Sequence, residues 1–171
     1  MHDFKETIQK YKNQVYTQCY YSLDSREDAE DATQEVFFKM WKKWNQLKGE
    51  NIRAWLYRVA RNTCMDAHRK KQRNRTIQTG QDFDSLLSRT PNQQPNPRSH
   101  AHSKELQGKI KSALNKLREP HKSIVILREI QNRSYAEISN ILEIPLSTVK
   151  VYLYRGRRML RDLLREKVAH E

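Results

Sequence analysis

Residues 134–155 read SYAEISNILEIPLSTVKVYLYR. Ser134-Tyr135-Ala136-Glu137 has capping-box spacing, in which the Ser hydroxyl and the Glu carboxylate each take one orphan backbone N–H at a helix start. The predicted helix runs through about Leu142. Pro145 then falls in a turn, and a second helix is predicted from about Leu146 to Val168. Two helices joined by a turn of three or four residues form the helix-turn-helix plan. Ala136, Ile138, Ile141, Ile144, Val149 and Leu153 are placed to pack the pair together. Ser147, Thr148, Lys150, Val151, Tyr154 and Arg155 then face outward near the start of the second helix, the end that enters a major groove. Hydroxyls and Lys/Arg suit phosphates or base edges, and Val or Tyr suits a thymine methyl. An ordinary helical hairpin with a solvated basic face would show the same pattern, so the motif does not decide alone.

Composition narrows the choice. The chain has 171 residues, with 33 Lys+Arg against 20 Asp+Glu and a net charge of +13. Such an excess points to a polyanionic partner, most often nucleic acid. Four Gly and five Pro argue against an all-β chain, which needs many tight turns. Two cysteines, Cys19 and Cys64, exclude a disulfide scaffold and any CxxC metal knuckle, and each reads as a buried apolar position. No stretch approaches 18 consecutive apolar residues, and the first residues lack an apolar core of signal-peptide length. A soluble, reducing, cytoplasmic setting follows as the expectation, without membrane insertion. Residues 76–103 hold two basic and two acidic residues, three of the five prolines (Pro91, Pro95, Pro97) and almost no apolar periodicity. They read as a flexible linker between an N-terminal domain, 1–75, and a C-terminal domain, 104–171. The fold class is all-α, with two small helical domains and the helix-turn-helix in the second.

The N-terminal domain reads as three helices. Phe4, Ile8, Tyr11, Val15 and Cys19 follow a helical period. Ser25, with Asp28 three positions on, opens a second helix with Ala29, Ala32, Val36 and Met40 on its inner stripe. Residues 24–35 hold six acids and one Arg, ahead of Phe37, Phe38, Trp41 and Trp44. Acids in a first turn suit the helix dipole, yet an acidic block beside aromatics in a basic protein also reads as a protein-docking face. A third helix carries Ile52, Trp55, Leu56, Val59, Ala60, Thr63, Cys64 and Ala67 inward, with Trp55 expected in the core. Residues 52–75 hold eight basic residues and one acid, Asp66, interleaved with Trp55 and Tyr57. Basic residues among aromatics suit a single strand, whose bases stack and whose phosphates pair with Lys/Arg. Enzyme signals are poor, with no Gly-rich phosphate loop, G-x-S-x-G or H-E-x-x-H. His100 and His102, in the linker, are weak ligands without partners.

Three ordered motifs resemble the extracytoplasmic-function (ECF) class of bacterial sigma factors, the smallest members of the primary-type sigma family. Asp28-Ala29-Glu30-Asp31-Ala32-Thr33-Gln34-Glu35-Val36-Phe37 is similar to that family's core-polymerase-binding helix. Arg53-Ala54-Trp55-Leu56-Tyr57-Arg58-Val59-Ala60-Arg61-Asn62, with Asp66 and Arg69, is similar to its promoter-melting helix. Leu117 through Leu164 is similar to its C-terminal promoter-binding domain.

The resemblance implies a transcription initiation factor without enzymatic activity, cofactor, metal or small-molecule substrate. Its implied partners are core RNA polymerase, promoter DNA and an anti-sigma factor. Asp31, Gln34, Glu35, Phe38 and Trp41 would bind the polymerase. Arg58, Arg61, Asn62, Asp66 and Arg69 would contact the melted strand. Ser147, Thr148, Lys150, Val151, Tyr154 and Arg155 would read the upstream element. Glu143 departs from the Gly that many members carry in the turn. A stand-alone helix-turn-helix regulator is the rival; it would use residues 104–171 and leave the acidic–aromatic helix and the 52–75 block idle. A phosphate-handling enzyme fits less well, since no cradle or nucleophile–base pair is present.

Overall fold

Ser25 and Ser134 start their helices as the sequence predicts. The Ser25 hydroxyl accepts the Asp28 backbone N–H at 3.0 Å. The Ser134 hydroxyl accepts the Glu137 N–H at 3.1 Å, and Glu137 Oε2 accepts the Ser134 N–H at 2.8 Å, completing the capping box. That N–H holds the Glu137 carboxyl below its ordinary range. The structure, a computed structural model, describes residues 3–47, 51–78 and 98–169, with the side chains of 77–78, 98–102 and 166–169 outside the description. Among the described residues every regular element is helical: α1 (Phe4–Ser22), α2 (Arg26–Lys43), α3 (Ile52–Gln78), α4 (Arg98–Lys116), α5 (His121–Val125), α6 (Tyr135–Leu142) and α7 (Leu146–Ala169). A π-helical turn, Ile126–Ile130, continues α5.

Two apolar clusters result. Val15, Cys19, Val36, Met40, Leu56, Ala60 and Cys64 join α1, α2 and α3. Leu114, Ile124, Leu127, Ile138, Val149 and Leu153 join α4 to α7. Ala54 and Tyr57, from α3, belong to the second cluster. The two thiols are buried and hydrogen-bonded to each other; that contact lowers the Cys19 pKa and, together with burial, raises that of Cys64.

Several expectations change. Trp55 packs against the first cluster as expected but stays half-buried, while Tyr57 is 2% exposed. The reason is that α3 has apolar neighbours on two faces. Ala136 is exposed, since the capping box sets it on the outer side of the first turn of α6. Helix α3 runs to Gln78 and α4 begins at Arg98, so both reach into the segment expected as linker. Lys, Arg and Gln are good helix formers and extend α3 beyond its apolar stripe. Residues 79–97 of that segment, and the side chains of His100 and His102, lie outside the description.

Helix α7 crosses α5 at Gly156, where a Cβ would stand 2.7 Å from Val125 Cγ2 and 3.5 Å from His121 Cβ. Val125 is 1% exposed and β-branched, so it has little room to yield. Gly108, on exposed α4, has nothing within 4 Å. Gly108→Ala should therefore stabilise by roughly 0.5–1 kcal/mol through helix propensity. Gly156→Ala should lose stability despite the same propensity gain, because overpacking a tight core costs about 1–3 kcal/mol. Urea unfolding of both variants checks the pair; a gain at Gly156 would mean that the helices cross elsewhere.

Candidate polymerase and nucleic-acid interfaces

Helix α2 divides its residues by face. Ala29, Ala32, Val36 and Met40 are buried. Asp31, Gln34, Glu35, Phe38 and Trp41 are all exposed, Phe38 at 52% and Trp41 at 61%. The two rings stack at 5.9 Å and 24°, and Lys42 Nζ lies 4.4 Å above Phe38. Glu35 is paired with Lys39 at 2.7 Å. A stacked, exposed aromatic pair beside carboxylates suits a protein partner, since aromatic anchors dominate interface energetics. Part of the acidic block serves the fold instead. Lys71 of α3 donates to Asp28 at 3.1 Å and lies 3.8 Å from Asp24. Burial alone would raise the Asp28 pKa, but the Ser25 hydroxyl and Lys71 outweigh it and the pKa falls.

The five strand-contact candidates of α3 occupy two faces. Asn62, Asp66 and Arg69 are exposed, Arg69 lying 3.4 Å from Asp66. Asp66 lines a groove with Asp31 and Glu35 of α2 and Lys70 of α3. Arg58 and Arg61 turn to the second domain. Arg58 Nη2 donates to Asn140 O at 3.0 Å, Nε to Ile141 O at 3.2 Å, and Nη1 lies 3.1 Å from Glu143 Oε1. Arg61 Nε donates to Ser123 Oγ at 3.2 Å and lies 3.6 Å from Glu119.

Further cross-domain contacts are absent from any motif. The Tyr57 hydroxyl lies 3.1 Å from both Gln14 Oε1 and Gln131 Oε1, and Gln131 Nε2 donates to Gln14 O at 2.8 Å. Gln131 closes the π-helical turn through its N–H to Ile126 O. Lys122, 5% exposed, donates to the Ser22 carbonyl and to Asn115 Oδ1. Burial pushes the Lys122 ammonium below its ordinary pKa. The one signal for these residues is that Lys122 and Gln131 are polar side chains flanking a segment that contains the apolar run Ile124 to Leu127.

In the helix-turn-helix, Glu143, Ile144 and Pro145 separate α6 from α7. Ile138, Ile141, Val149 and Leu153 are buried as predicted. Ser147, Lys150, Val151, Tyr154 and Arg155 are exposed, and Thr148 is half-buried. Glu143 is left-handed, φ 56° and ψ 42°, the conformation a helix C-terminus commonly gives to glycine. No described helix is long and apolar enough to cross a membrane, and no group of three or more His, Cys, Asp or Glu that could hold a metal ion occurs among the described residues.

Two family models match, Sigma-70 region 2 over residues 7–74 and Sigma-70, region 4 over residues 107–160. The wider kinship is thus sigma-70, a better description than primary-type. The ECF RNA polymerase sigma factor SigW of Bacillus subtilis is 30% identical over 167 residues, covering 95% of this chain and 89% of SigW. The ECF RNA polymerase sigma factor SigE of Mycolicibacterium smegmatis is 31% identical over 96% of this chain, which spans 62% of that relative's length. Among solved structures, the sigma factor RpoE in complex with the anti-sigma factor NepR from Bartonella quintana superimposes with TM-score 0.72 and 25% identity, over 96% of this chain and 98% of RpoE. CnrH in complex with the cytosolic domain of CnrY shares the fold, with TM-score 0.69 and 20% identity, over 95% and 88%.

The two faces of α7 predict opposite mutant behaviour. Leu153→Ala should cost about 2–5 kcal/mol of stability, as core truncations do. Tyr154→Ala and Val151→Ala should stay within about 0.5 kcal/mol, as exposed substitutions do. Chemical denaturation measures all three, and comparable losses at Leu153 and Tyr154 would mean that α7 is rotated from the orientation described.

Proposed function

The chain belongs to the extracytoplasmic-function class of RNA polymerase sigma factors, and from that premise we propose that it binds core RNA polymerase in the cytoplasm and directs initiation at a particular promoter set, with no covalent chemistry of its own. The observation that carries this reading is the pairing, in one chain, of an exposed acidic–aromatic surface on α2 with an exposed polar, basic and aromatic face on α7. A stand-alone regulator has no use for the first. Residues 1–75 form the polymerase-binding and melting domain, 76–103 the connection, and 104–171 the promoter-binding domain, with helices α3 and α4 reaching into the connection. An anti-sigma factor is the regulator this reading expects; RpoE of Bartonella quintana, similar over nearly the whole chain, is in complex with one.

Asp31, Gln34, Glu35, Phe38 and Trp41 form the polymerase-binding surface. Asn62, Asp66 and Arg69 bond exposed base edges and backbone of the melted strand, together with Arg58 and Arg61. At the upstream element the first-turn N–H groups of α7, near Ser147 and Thr148, favour a phosphate. Lys150, Val151 and Tyr154 read base edges and Arg155 holds the backbone.

Glu35→Lys should weaken core-polymerase binding about tenfold or more, since a like charge brought against a complementary basic surface is repelled. Fluorescence titration of labelled chain with core enzyme measures it; unchanged affinity would remove α2 from the interface. At the other end, Lys150→Ala should shift base preference at one promoter position by about 1–3 kcal/mol, whereas Arg155→Ala should weaken all promoters alike and reduce the salt slope by about one. Selection from a promoter library with each holoenzyme separates the two, and a wild-type preference from Lys150→Ala would pass the base-reading role to Val151 or Tyr154.

A further inference from the structure

Helix α7 spans 24 residues, about 36 Å at 1.5 Å per residue, whereas the major groove of B-DNA is about 12 Å wide. Its first turns fit inside a groove; the remainder must run past the groove edge, where the phosphates lie. The inner side of the helix stays packed over most of that length. Val149 and Leu153 are buried, Gly156 touches α5, and Leu160 and Leu163 pack against the same core. The second half of α7 is therefore fixed to its domain, and the direction of its outer face is fixed with it.

That outer face is a basic stripe. Lys150, Tyr154, Arg158, Arg161 and Arg165 follow at intervals of four, four, three and four residues, which keeps them within about 80° of the helix circumference. All five are exposed. Arg157, off the stripe, is instead paired with Glu129 at 2.6 Å. Asp162 is the one acid among the described side chains of α7, and it is turned about 100° from Arg161. It lies 3.5 Å from Arg161 Nε, with both side chains more than half exposed, so it holds that guanidinium weakly. Arg161 and Arg165 lie beyond the Sigma-70, region 4 match, which ends at residue 160.

We propose that α7 carries a second DNA contact: Arg158, Arg161 and Arg165 grip the phosphate backbone of the duplex bordering the upstream element, so that one helix reads bases with its first half and holds the backbone with its second. This rests on the reading of α7 as the helix that reads the upstream element. Two observations favour DNA over an acidic protein. The stripe continues the face that presents Lys150 and Tyr154, so a duplex seated on those residues already lies alongside it. Beyond Tyr154 the stripe holds no apolar or aromatic side chain, and a protein partner would find no anchor there. Arginine stays charged and matches a phosphate with two parallel N–H donors. Arg158 and Arg165 are about 10 Å apart along the helix, a span comparable with that of two or three phosphates of one strand.

The test uses holoenzyme made with the full chain carrying Arg158→Ala, Arg161→Ala and Arg165→Ala together. The control carries Lys104→Ala, Lys116→Ala and Arg118→Ala, an equal loss of charge at exposed positions of the same domain. The probe is a fluorescein-labelled promoter duplex recovered by library selection, made also with single uncharged methylphosphonate linkages at each backbone position in and around the upstream element. The stripe variant should keep the wild-type melting temperature and base preference. It should bind the unmodified duplex about 10- to 100-fold more weakly, with a salt slope lower by about two to three. Wild type should lose affinity at a cluster of methylphosphonates to which the stripe variant is indifferent, and the three arginines changed to lysine should restore most of the binding. A stripe variant with the affinity of the control would overturn the proposal and leave the stripe to an acidic protein surface. A methylphosphonate profile unchanged from wild type would overturn it equally. Base preference under Lys150→Ala, Val151→Ala and Tyr154→Ala tests the underlying reading separately. A shift with any of the three keeps α7 as the reading helix whatever becomes of the stripe; wild-type preference from all three removes both.

Discussion

Helix α3 is shared between two hydrophobic cores, and the arrangement of the chain depends on that sharing. Leu56, Ala60 and Cys64 face the first cluster, while Ala54 and Tyr57 face the second. Leu56 and Tyr57 are adjacent, 1% and 2% exposed, and turned about 100° apart by the helix. Burying one such side chain contributes about 1.5–3 kcal/mol. A buried hydroxyl also demands a partner, and Tyr57 finds one in Gln14 and Gln131, from opposite domains. The domains are therefore docked by a small apolar contact bordered by polar groups. Such a border specifies geometry strongly, because each partner left behind in a partial opening would be unsatisfied.

This sharing also governs the electrostatics. A net charge of +13 suggests a broad basic surface, yet several cations are spent within the molecule. Lys71 is held between Asp24 and Asp28, Arg53, Arg58 and Arg61 face glutamates, and Lys122 is buried against Ser22 and Asn115. Exposed single pairs contribute little to stability; of the arginine pairs at the domain boundary, Arg61–Glu119 is the more buried, while Glu143 opposite Arg58 is well exposed. The acidic residues of α2 divide likewise: Asp24 and Asp28 serve packing against α3, and Asp31 and Glu35 remain on the surface.

The sequence made the local features legible because their physics is local. A capping box depends on residues three apart, and both Ser25 and Ser134 start helices where expected. The inward and outward residues of α7 follow from the period of Val149 and Leu153 alone. Longer-range features were not accessible in this way. Periodicity identifies one apolar stripe per helix, so it assigned Trp55 to the core and Tyr57 to the nucleic-acid side; only the second domain's arrival buries Tyr57. The same absence of tertiary information grouped Arg58 with Asn62 as strand contacts, although Arg58 bonds the end of α6 and Asn62 is exposed. The π-helical turn Ile126–Ile130 leaves no clear mark in the sequence, where the charged Arg128 and Glu129 follow the apolar run Ile124 to Leu127.

Reconstituted transcription tests the central claim most directly. Core RNA polymerase is supplied with this chain and a library of genomic fragments from the source organism, and run-off transcripts are sequenced from their start sites. The account predicts transcripts that appear only when chain and core enzyme are both present, starting downstream of one shared pair of upstream and start-proximal elements. Transcription by core enzyme that is indifferent to the chain, with the isolated protein instead binding duplex DNA tightly at a single operator, would contradict it.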